Sequence, residues 1–465
     1  MNCLGFVPAI HLLKHLLVRL SMDIASTRGL LLLYSQNGPL GQIRTQIMQD
    51  PKARKPRVAI IHPDLGIGGA EQLIINVGLA LKYKGYDVQV FTPFFDPNRC
   101  LDEAKLLDVH VHGSWFPMNI NGKAVALCAY IRQLLCTIWV LLLGGHFDYY
   151  ILDQVSFPIP LVRLKSRNVL FYCHYPDKLL STERSTVSKK IYRFFLDLFE
   201  EITTACARCI VVNSGFTQKV FYDNFPIIRK FVKSHRPEIL YPAIEEKTFV
   251  QSANYKETID QLLGKNITKD TVILTSLNRY ERKKDIPLAL LSFNYYLENQ
   301  IKQFGQDSVK DVYLVIAGGY DTRLSENVQV HEELVDQAKK LGIEDKVVFL
   351  RSISGDQRIN LLKNTKILLY TPQNEHFGIV PVEAMHMGCV VIACNSGGPL
   401  ESVEDGKTGY LVSPKFQEWG NRIILILGSS KEKQDEMRKN AQERVRIMFT
   451  KEVFAEQLEN ILKRM

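Results

Sequence analysis

The strongest constraint on how this chain folds is an alternation that runs through it twice: short uninterrupted apolar runs, each followed by a turn and an amphipathic segment. In the first block, RVAIIHPDLGIGGAEQLIINVGLALKYKGYDVQVFTP, Val58 to Ile61 reads as a strand, Asp64 to Gly69 as a glycine-rich loop, Ala70 to Lys82 as a helix and Val88 to Phe91 as the next strand. A strand that is apolar at every position is covered on both faces, which is the habit of parallel sheets flanked by helices. Phe147 to Leu152 and Val169 to Cys173 continue the series, and Val211 to Ser214 reads as a further strand end. From about Asp270 the pattern repeats in TVILTSLNRYERKKD, VYLVIAGGY, KVVFLRSIS and KILLYTP, with helices around Pro287 to Glu298, Val330 to Leu341 and Asp356 to Lys363. Two such series imply an α/β chain of two facing Rossmann-like domains with an interdomain cleft.

A chain of 465 residues is long enough to carry both domains and more. Residues 1–56 read as an extension, in which Leu13, Leu16, Leu17 and Leu20 form one apolar helical face suited to a membrane surface, followed by the basic linker PKARKPR. Lys14 and Arg19 interrupt what would be the apolar part of a secretory signal. Residues 57–240 form the first domain, 241–269 the connection around Tyr241, Pro242 and Ala243, and 270–420 the second domain. Residues 421–465 are C-terminal helices.

The net charge of +9 suits an anionic partner such as a nucleotide sugar, a lipid pyrophosphate or a membrane surface. No nucleic-acid-binding module is recognisable, so nucleic acid is not expected as a partner. Nine cysteines without paired spacings point to a reducing compartment, and the lone pair Cys206 and Cys209 reads as a buried helix-to-strand junction. Asn266 opens a glycosylation sequon that is expected to stay unmodified. Ala124 to Leu143 is the most apolar stretch. Arg132 near its centre would cost roughly 2.5 to 3.5 kcal/mol in a membrane span, so a buried core helix and a helix in the membrane interface stand about level.

Chemistry concentrates at the ends of the presumed strands. Gly66, Gly68 and Gly69 fall at a helix N-terminus, where backbone N–H groups can face a phosphate. His174 and Asp177 follow a strand in FYCHYPD, and Arg279 and Lys284 follow another in LNRYERKKD. Two cations at the carboxyl edge of a sheet can neutralise a pyrophosphate, whereas Arg282 and Lys283 beside them stay unassigned. The stretch YTPQNEHFGIVPVEAMHMGCVVIACNSGG then sets Glu375 in a loop after a strand, and Glu383 about one turn into the helix Ile379 to Met387. No Asp-x-Asp pair occurs in the chain, so no metal site is expected, and cations and helix N-termini are left to stabilise a departing diphosphate.

Together HPDLGIGGAE, FYCHYPD, LNRYERKKD, AGGYD, YTPQNEHFGIVPVEAM and NSGGPLES span residues 57 to 412 and resemble the retaining GT-B glycosyltransferases of family four. The resemblance implies that Glu375 contacts the donor sugar and acts in catalysis, and that Glu383 holds the ribose, with Phe377, Gly378 and Ile379 on the same side. It also implies that Arg279 and Lys284 grip the donor diphosphate along with Gly68 and Gly69, that His174 is catalytic, and that the last helix crosses back onto the first domain. The match runs towards those members that use GDP-mannose and a dolichyl-diphosphate oligosaccharide. That implies α-1,3 and α-1,6 mannosyl transfer without a cofactor at the cytosolic face of the endoplasmic reticulum membrane, beside other enzymes of the same route. The residues alone carry only as far as a nucleotide-sugar transferase; a family member with a different nucleotide sugar and a non-catalytic binding scaffold are the alternatives.

Overall fold

In the computed structural model, residues 54–120, 124–180, 187–231, 236–250 and 254–465 are described, and they build two wholly parallel sheets. The proposed surface helix around Leu13 to Leu20 lies outside the described residues. The first sheet uses β1 (Arg57–Ile61), β2 (Asp87–Thr92), β3 (Asp108–Val111), β4 (Tyr149–Asp153), β5 (Val169–Cys173), β6 (Cys209–Val212) and β7 (Glu238–Ile239), in the order β3-β2-β1-β4-β5-β6-β7. The second uses β8 (Val272–Leu277), β9 (Val312–Gly318), β10 (Val347–Arg351), β11 (Ile367–Tyr370), β12 (Val390–Cys394) and β13 (Gly409–Val412), in the order β10-β9-β8-β11-β12-β13. Each strand order reverses once, between β1 and β4 and between β8 and β11, and such a switch point opens a crevice at the carboxyl ends of the strands.

The helices that bear on the site are α1 (Gly69–Tyr83), α2 (Val125–Leu143), α3 (Asp177–Leu180), α4 (Val187–Ala205) and α5 (Gly215–Asn224) around the first sheet. Around the second they are α6 (Ile286–Phe304), α7 (Gly355–Asn364), α8 (Ile379–His386), α9 (Pro399–Ser402) and α10 (Lys431–Met448); α11 (Lys451–Arg464) ends the chain. Strands such as β11 and β12 are buried at every residue, which is why their sequences carry no polar alternation. Each fully buried Leu or Ile in them contributes about 1.5–3 kcal/mol.

The two domains are joined by chain segments that run side by side. Ile244 leaves the first domain with its N–H donating to the Phe449 carbonyl at 2.8 Å, and Thr450 opens the return. The Thr450 hydroxyl then caps α11, whose Phe454, Leu458, Ile461 and Leu462 enter the same core as Leu73 and Leu81 of α1. Lys84–Glu459 at 3.6 Å and the Arg464–Glu238 ion pair add polar contacts between the last helix and the first domain.

The apolar Ala124–Leu143 stretch forms α2, which packs on the first sheet. Cys128, Cys136 and Val140 are buried, and so are Arg132, Gln133 and Thr137. Arg132 donates from its guanidinium to the Pro93 carbonyl at 2.8 Å, so the residue that disfavours a membrane span is a hydrogen-bonded core group. Among the described residues α2 is the one helix long and apolar enough to cross a membrane.

Candidate active site

At the first switch point a buried carboxylate joins two histidines. Asp153 ends β4, His62 follows β1 and His174 follows β5. His62 Nδ1 lies 2.7 Å from Asp153 Oδ1, and His174 Nε2 lies 2.9 Å from Asp153 Oδ2. Burial pushes the Asp153 carboxyl upward, yet the His62 charge and the bonds from both rings outweigh it and hold the group below the usual range. Burial likewise pushes His62 down, and Asp153 more than reverses it, so this imidazole is raised. Asn213 donates to the His174 carbonyl at 3.1 Å and fixes the backbone there. The turn that follows is tied by Glu200, which accepts from the Asp177 and Lys178 amides at 2.7 and 2.9 Å. Burial, with the Asp177 charge, pushes Glu200 up to about 7.

The second switch point is bridged in the same manner. Lys284 follows β8 and Glu375 follows β11, and Lys284 Nζ lies 2.5 Å from Glu375 Oε2. Thr371 Oγ1 donates to the Lys284 carbonyl at 2.6 Å, so the two loops are also joined at the backbone. Burial raises the Glu375 carboxyl, but the adjacent Lys284 ammonium wins and holds it below the ordinary glutamate value. The NSGG turn wedges this loop. Gly398 N–H donates to the Glu375 carbonyl at 2.8 Å, and a Cβ on Gly397, which has φ +67°, would lie 2.5 Å from that same carbonyl oxygen. Gly378 caps α8 with φ +79°, where a Cβ would meet the Tyr370 hydroxyl at 2.8 Å. These positions take glycine because their φ is positive and a backbone or the Tyr370 ring approaches too closely for a Cβ.

Glu383 sits on α8, 7% exposed, in an ion pair with Arg358 of α7. Burial pulls the Arg358 guanidinium down to about 10. Phe377 is buried beneath the loop, while Gly378 and Ile379 open α8 with their N–H groups free of earlier helical partners.

Contacts across the cleft come from the same loop. The His376 ring stacks on Tyr175 at 3.8 Å, burial pulls its imidazole down to about 4, and its carbonyl accepts from the Ser214 hydroxyl. Glu401 of α9 accepts from the Gly215 and Phe216 amides at 2.6 and 2.7 Å, placing a carboxylate on the N-terminus of α5. Between the domains is a cleft of about 1010 Å³, lined on one side by Gly69, Tyr130, His174 and Asp177, and on the other by Arg358, Glu375, Gly378 and Glu383.

Other expected residues stand differently. Arg279 is exposed and pairs with Glu281 at 3.0 Å rather than with the Glu375 loop, and its side chain packs at Gly319. Arg282 pairs with Glu333 at 2.7 Å, and Lys283 with Glu281 at 3.3 Å. Gly68 caps α1, but a Cβ there would lie 2.2 Å from the Glu71 carboxylate, so an acidic side chain already sits at this helix N-terminus. Gly69 lines the cleft. His62, Asp153, Arg358 and His376 were not singled out from sequence. The available signal was position: His62 and Asp153 are polar residues at the ends of apolar strands on either side of the strand-order reversal, which becomes visible only once the order is known. Among the described residues no group of three or more His, Cys, Asp or Glu could hold a metal ion.

The chemistry open to this cleft follows from its charges. A carboxylate and an ammonium held together at a strand end, beside a helix N-terminus, can orient a polyol and stabilise a leaving anion. His174 opposite can meet an incoming hydroxyl.

Comparison with known proteins agrees with this geometry. The family described as "Glycosyltransferase Family 4" matches residues 67–245, and "Glycosyl transferases group 1" matches residues 259–444. The "Alpha-1,3/1,6-mannosyltransferase ALG2" of Dictyostelium discoideum is 42% identical, covering 88% of this chain and 98% of that protein. The Homo sapiens protein of the same name is 41% identical, covering 87% of this chain and 95% of its own length. Among solved structures, sucrose-phosphate synthase (tll1590) from Thermosynechococcus elongatus superposes with a TM-score of 0.66 at 19% identity, over 88% of this chain and 99% of that one. Anabaena Alr3699/HepE in complex with UDP-glucose gives a TM-score of 0.62 at 19% identity, over 88% of this chain and all of that one (100%). The last two resemblances are of fold.

Proposed function

We propose, from the premise that this chain belongs to the α-1,3/1,6-mannosyltransferase family of GT-B glycosyltransferases, a division of labour across its cleft. The chain is a glycosyltransferase with a nucleotide-sugar donor and a glycolipid acceptor. Our reading is that the donor is GDP-mannose and the acceptor a dolichyl-diphosphate oligosaccharide carrying one or two mannoses, extended through α-1,3 and α-1,6 linkages for the N-glycan precursor. The enzyme then works at the endoplasmic reticulum membrane, on its cytosolic face.

Transfer with retention develops positive charge at the anomeric carbon and negative charge on the departing diphosphate, so the site must stabilise both. In this reading Lys284 and the N-terminal amides of α8 at Gly378 and Ile379 meet the diphosphate. Arg279 joins them once it leaves Glu281. Glu375 accepts from sugar hydroxyls and favours the cationic transition state, while Glu383 accepts from the ribose. His174, oriented by Asp153, lies on the acceptor side. Gly69 borders the same space, and we keep Gly68 and Gly69 as diphosphate neighbours in this reading.

The observation that carries the reading is the 2.5 Å Lys284–Glu375 pair at the second switch point, in a cleft whose other wall bears His174. A donor panel tests it. Purified protein with a lipid-linked mannosyl-chitobiose should transfer from GDP-mannose, and not from UDP-glucose or UDP-N-acetylglucosamine, with products heavier by one and then two hexoses. Turnover with a UDP-sugar alone would replace mannose in the reading, and binding without turnover would make the protein a scaffold.

A further inference from the structure

Helix α4 is built inside out. Its inward face carries Arg193, Glu200, Glu201 and Thr204, all at most 7% exposed, while Ile191, Phe194, Phe195 and Phe199 are 45–60% exposed. The inward charged side chains are each paired within the domain. Arg193 pairs with Asp197 at 3.0 Å, Glu200 caps the α3 amides, and Glu201 accepts from the Ile227 amide at 2.5 Å and pairs with Lys178 at 3.5 Å. Nothing about folding in water requires three phenylalanines on the outer face of such a helix, and a contiguous exposed apolar surface marks an interaction site. Helix α2 adjoins α4 through the cluster of Tyr130, Val155 and Leu196, and has the same bias: Arg132, Gln133 and Thr137 are buried, while Leu127, Ile138 and Leu142 are exposed.

We propose that the outer face of α4, with Leu180 at the end of α3, rests on the bilayer and turns the acceptor side of the cleft towards it. This rests on the glycolipid-acceptor reading above. A glycolipid can present its sugars in the cleft only if its apolar chain leaves the protein into an apolar phase close by. Asp177 and Leu180 of α3 line the cleft, and Leu180 is itself exposed, so the acceptor half opens beside this face. Exposed Lys190 next to Ile191 and the net charge of +9 complement anionic headgroups. A second copy of the chain is the competing occupant, but it would leave the acceptor's lipid without an exit at this rim.

Two variants of the full chain decide it. Phe194→Trp adds a reporter to the three native tryptophans, and vesicles of phosphatidylcholine and phosphatidylinositol containing brominated lipid should quench the added emission. An added emission that stays unquenched on bound protein overturns the proposal, whatever residues 1–53 contribute to binding. In the second variant, Phe194→Gln, Phe195→Gln and Phe199→Gln are combined. It should keep the thermal midpoint and the rate with a short-chain water-soluble acceptor, yet lose about tenfold or more in kcat/KM with acceptor embedded in vesicles. Equal rates on both acceptors overturn the proposal, as does a wild-type dimer that dissociates in this variant while vesicle contact at position 194 is absent. If the wild type transfers to neither acceptor, the functional reading falls, and quenching alone then supports or overturns the surface.

Discussion

Lys284 Nζ and Glu375 Oε2 lie 2.5 Å apart and join the loops that leave β8 and β11, the strands flanking the point where the second sheet reverses its order. The pair ties the charge that would meet a leaving diphosphate to the carboxylate that would meet the sugar.

Removing the cation should therefore be felt in the pH profile. Burial alone raises the Glu375 carboxyl, and Lys284 reverses this, so the wild-type carboxylate stays ionised to below the ordinary glutamate range. In Lys284→Met only the smaller downward influences of the His376 and Lys283 charges are left against burial, and the acid limb of the kcat/KM profile should move to higher pH. GDP affinity should also fall, by roughly ten- to a hundredfold for one charged partner. An acid limb that stays in place would mean that Glu375 is not the group it reports.

Asp153→Asn keeps the shape of the buried carboxylate and removes its charge. His62 then loses its counter-ion inside the first sheet, and breaking such a pair costs about 3–5 kcal/mol. The sign differs between the partners. Asp153, depressed in the fold, contributes above its unfolded value of about 3.9 and loses this as pH falls; His62, raised in the fold, contributes fully below about 6.5 and loses this as pH rises. The deficit against wild type should be largest between those limits, read from denaturant melts across the pH range. Donor affinity should be unchanged, because Asp153 belongs to the other wall of the cleft, while kcat falls as His174 loses its anchor. A loss of GDP binding equal to the loss of rate would contradict that division.

Transfer should survive chelation. The chain has no Asp-x-Asp pair, and Lys284, Arg279 and the α8 N-terminus supply the positive charge in this account. Rates in excess EDTA should match those with added magnesium. Abolition by EDTA with recovery on adding metal would transfer the role of these cations to an ion.

The fold was legible because β1 from Val58 on, β11 and β12 are apolar runs, each followed by glycine punctuation, which leaves little but a parallel sheet. The Glu375 loop was legible because Gly397 and Gly398 are demanded by close backbone approaches and Gly378 by a positive φ against the Tyr370 ring. Pairings between distant loops were not legible. That Lys284 meets Glu375 while Arg279 meets Glu281, or that Asp153 binds both His62 and His174, depends on side-chain direction and strand order rather than on local pattern. The Arg358–Glu383 pair was hidden in the same way, and so was the polarity of α4, since an amphipathic period reveals two faces but not which one turns inward.

The measurement that bears most directly on the account is GDP calorimetry beside initial rates for Glu375→Gln and Glu383→Gln. Glu375 stands in the loop before α8 and in the proposed reading acts on the sugar, so its variant should lose kcat strongly while GDP affinity changes little. Glu383 lies on α8 beside Arg358 and in the proposed reading acts on the ribose, so its variant should bind both GDP and GDP-mannose roughly ten- to a hundredfold more weakly, with thermal melts confirming that the buried Arg358 is still accommodated. Equal losses of GDP affinity in the two variants, or none in Glu383→Gln, would contradict the arrangement of the donor proposed for this cleft.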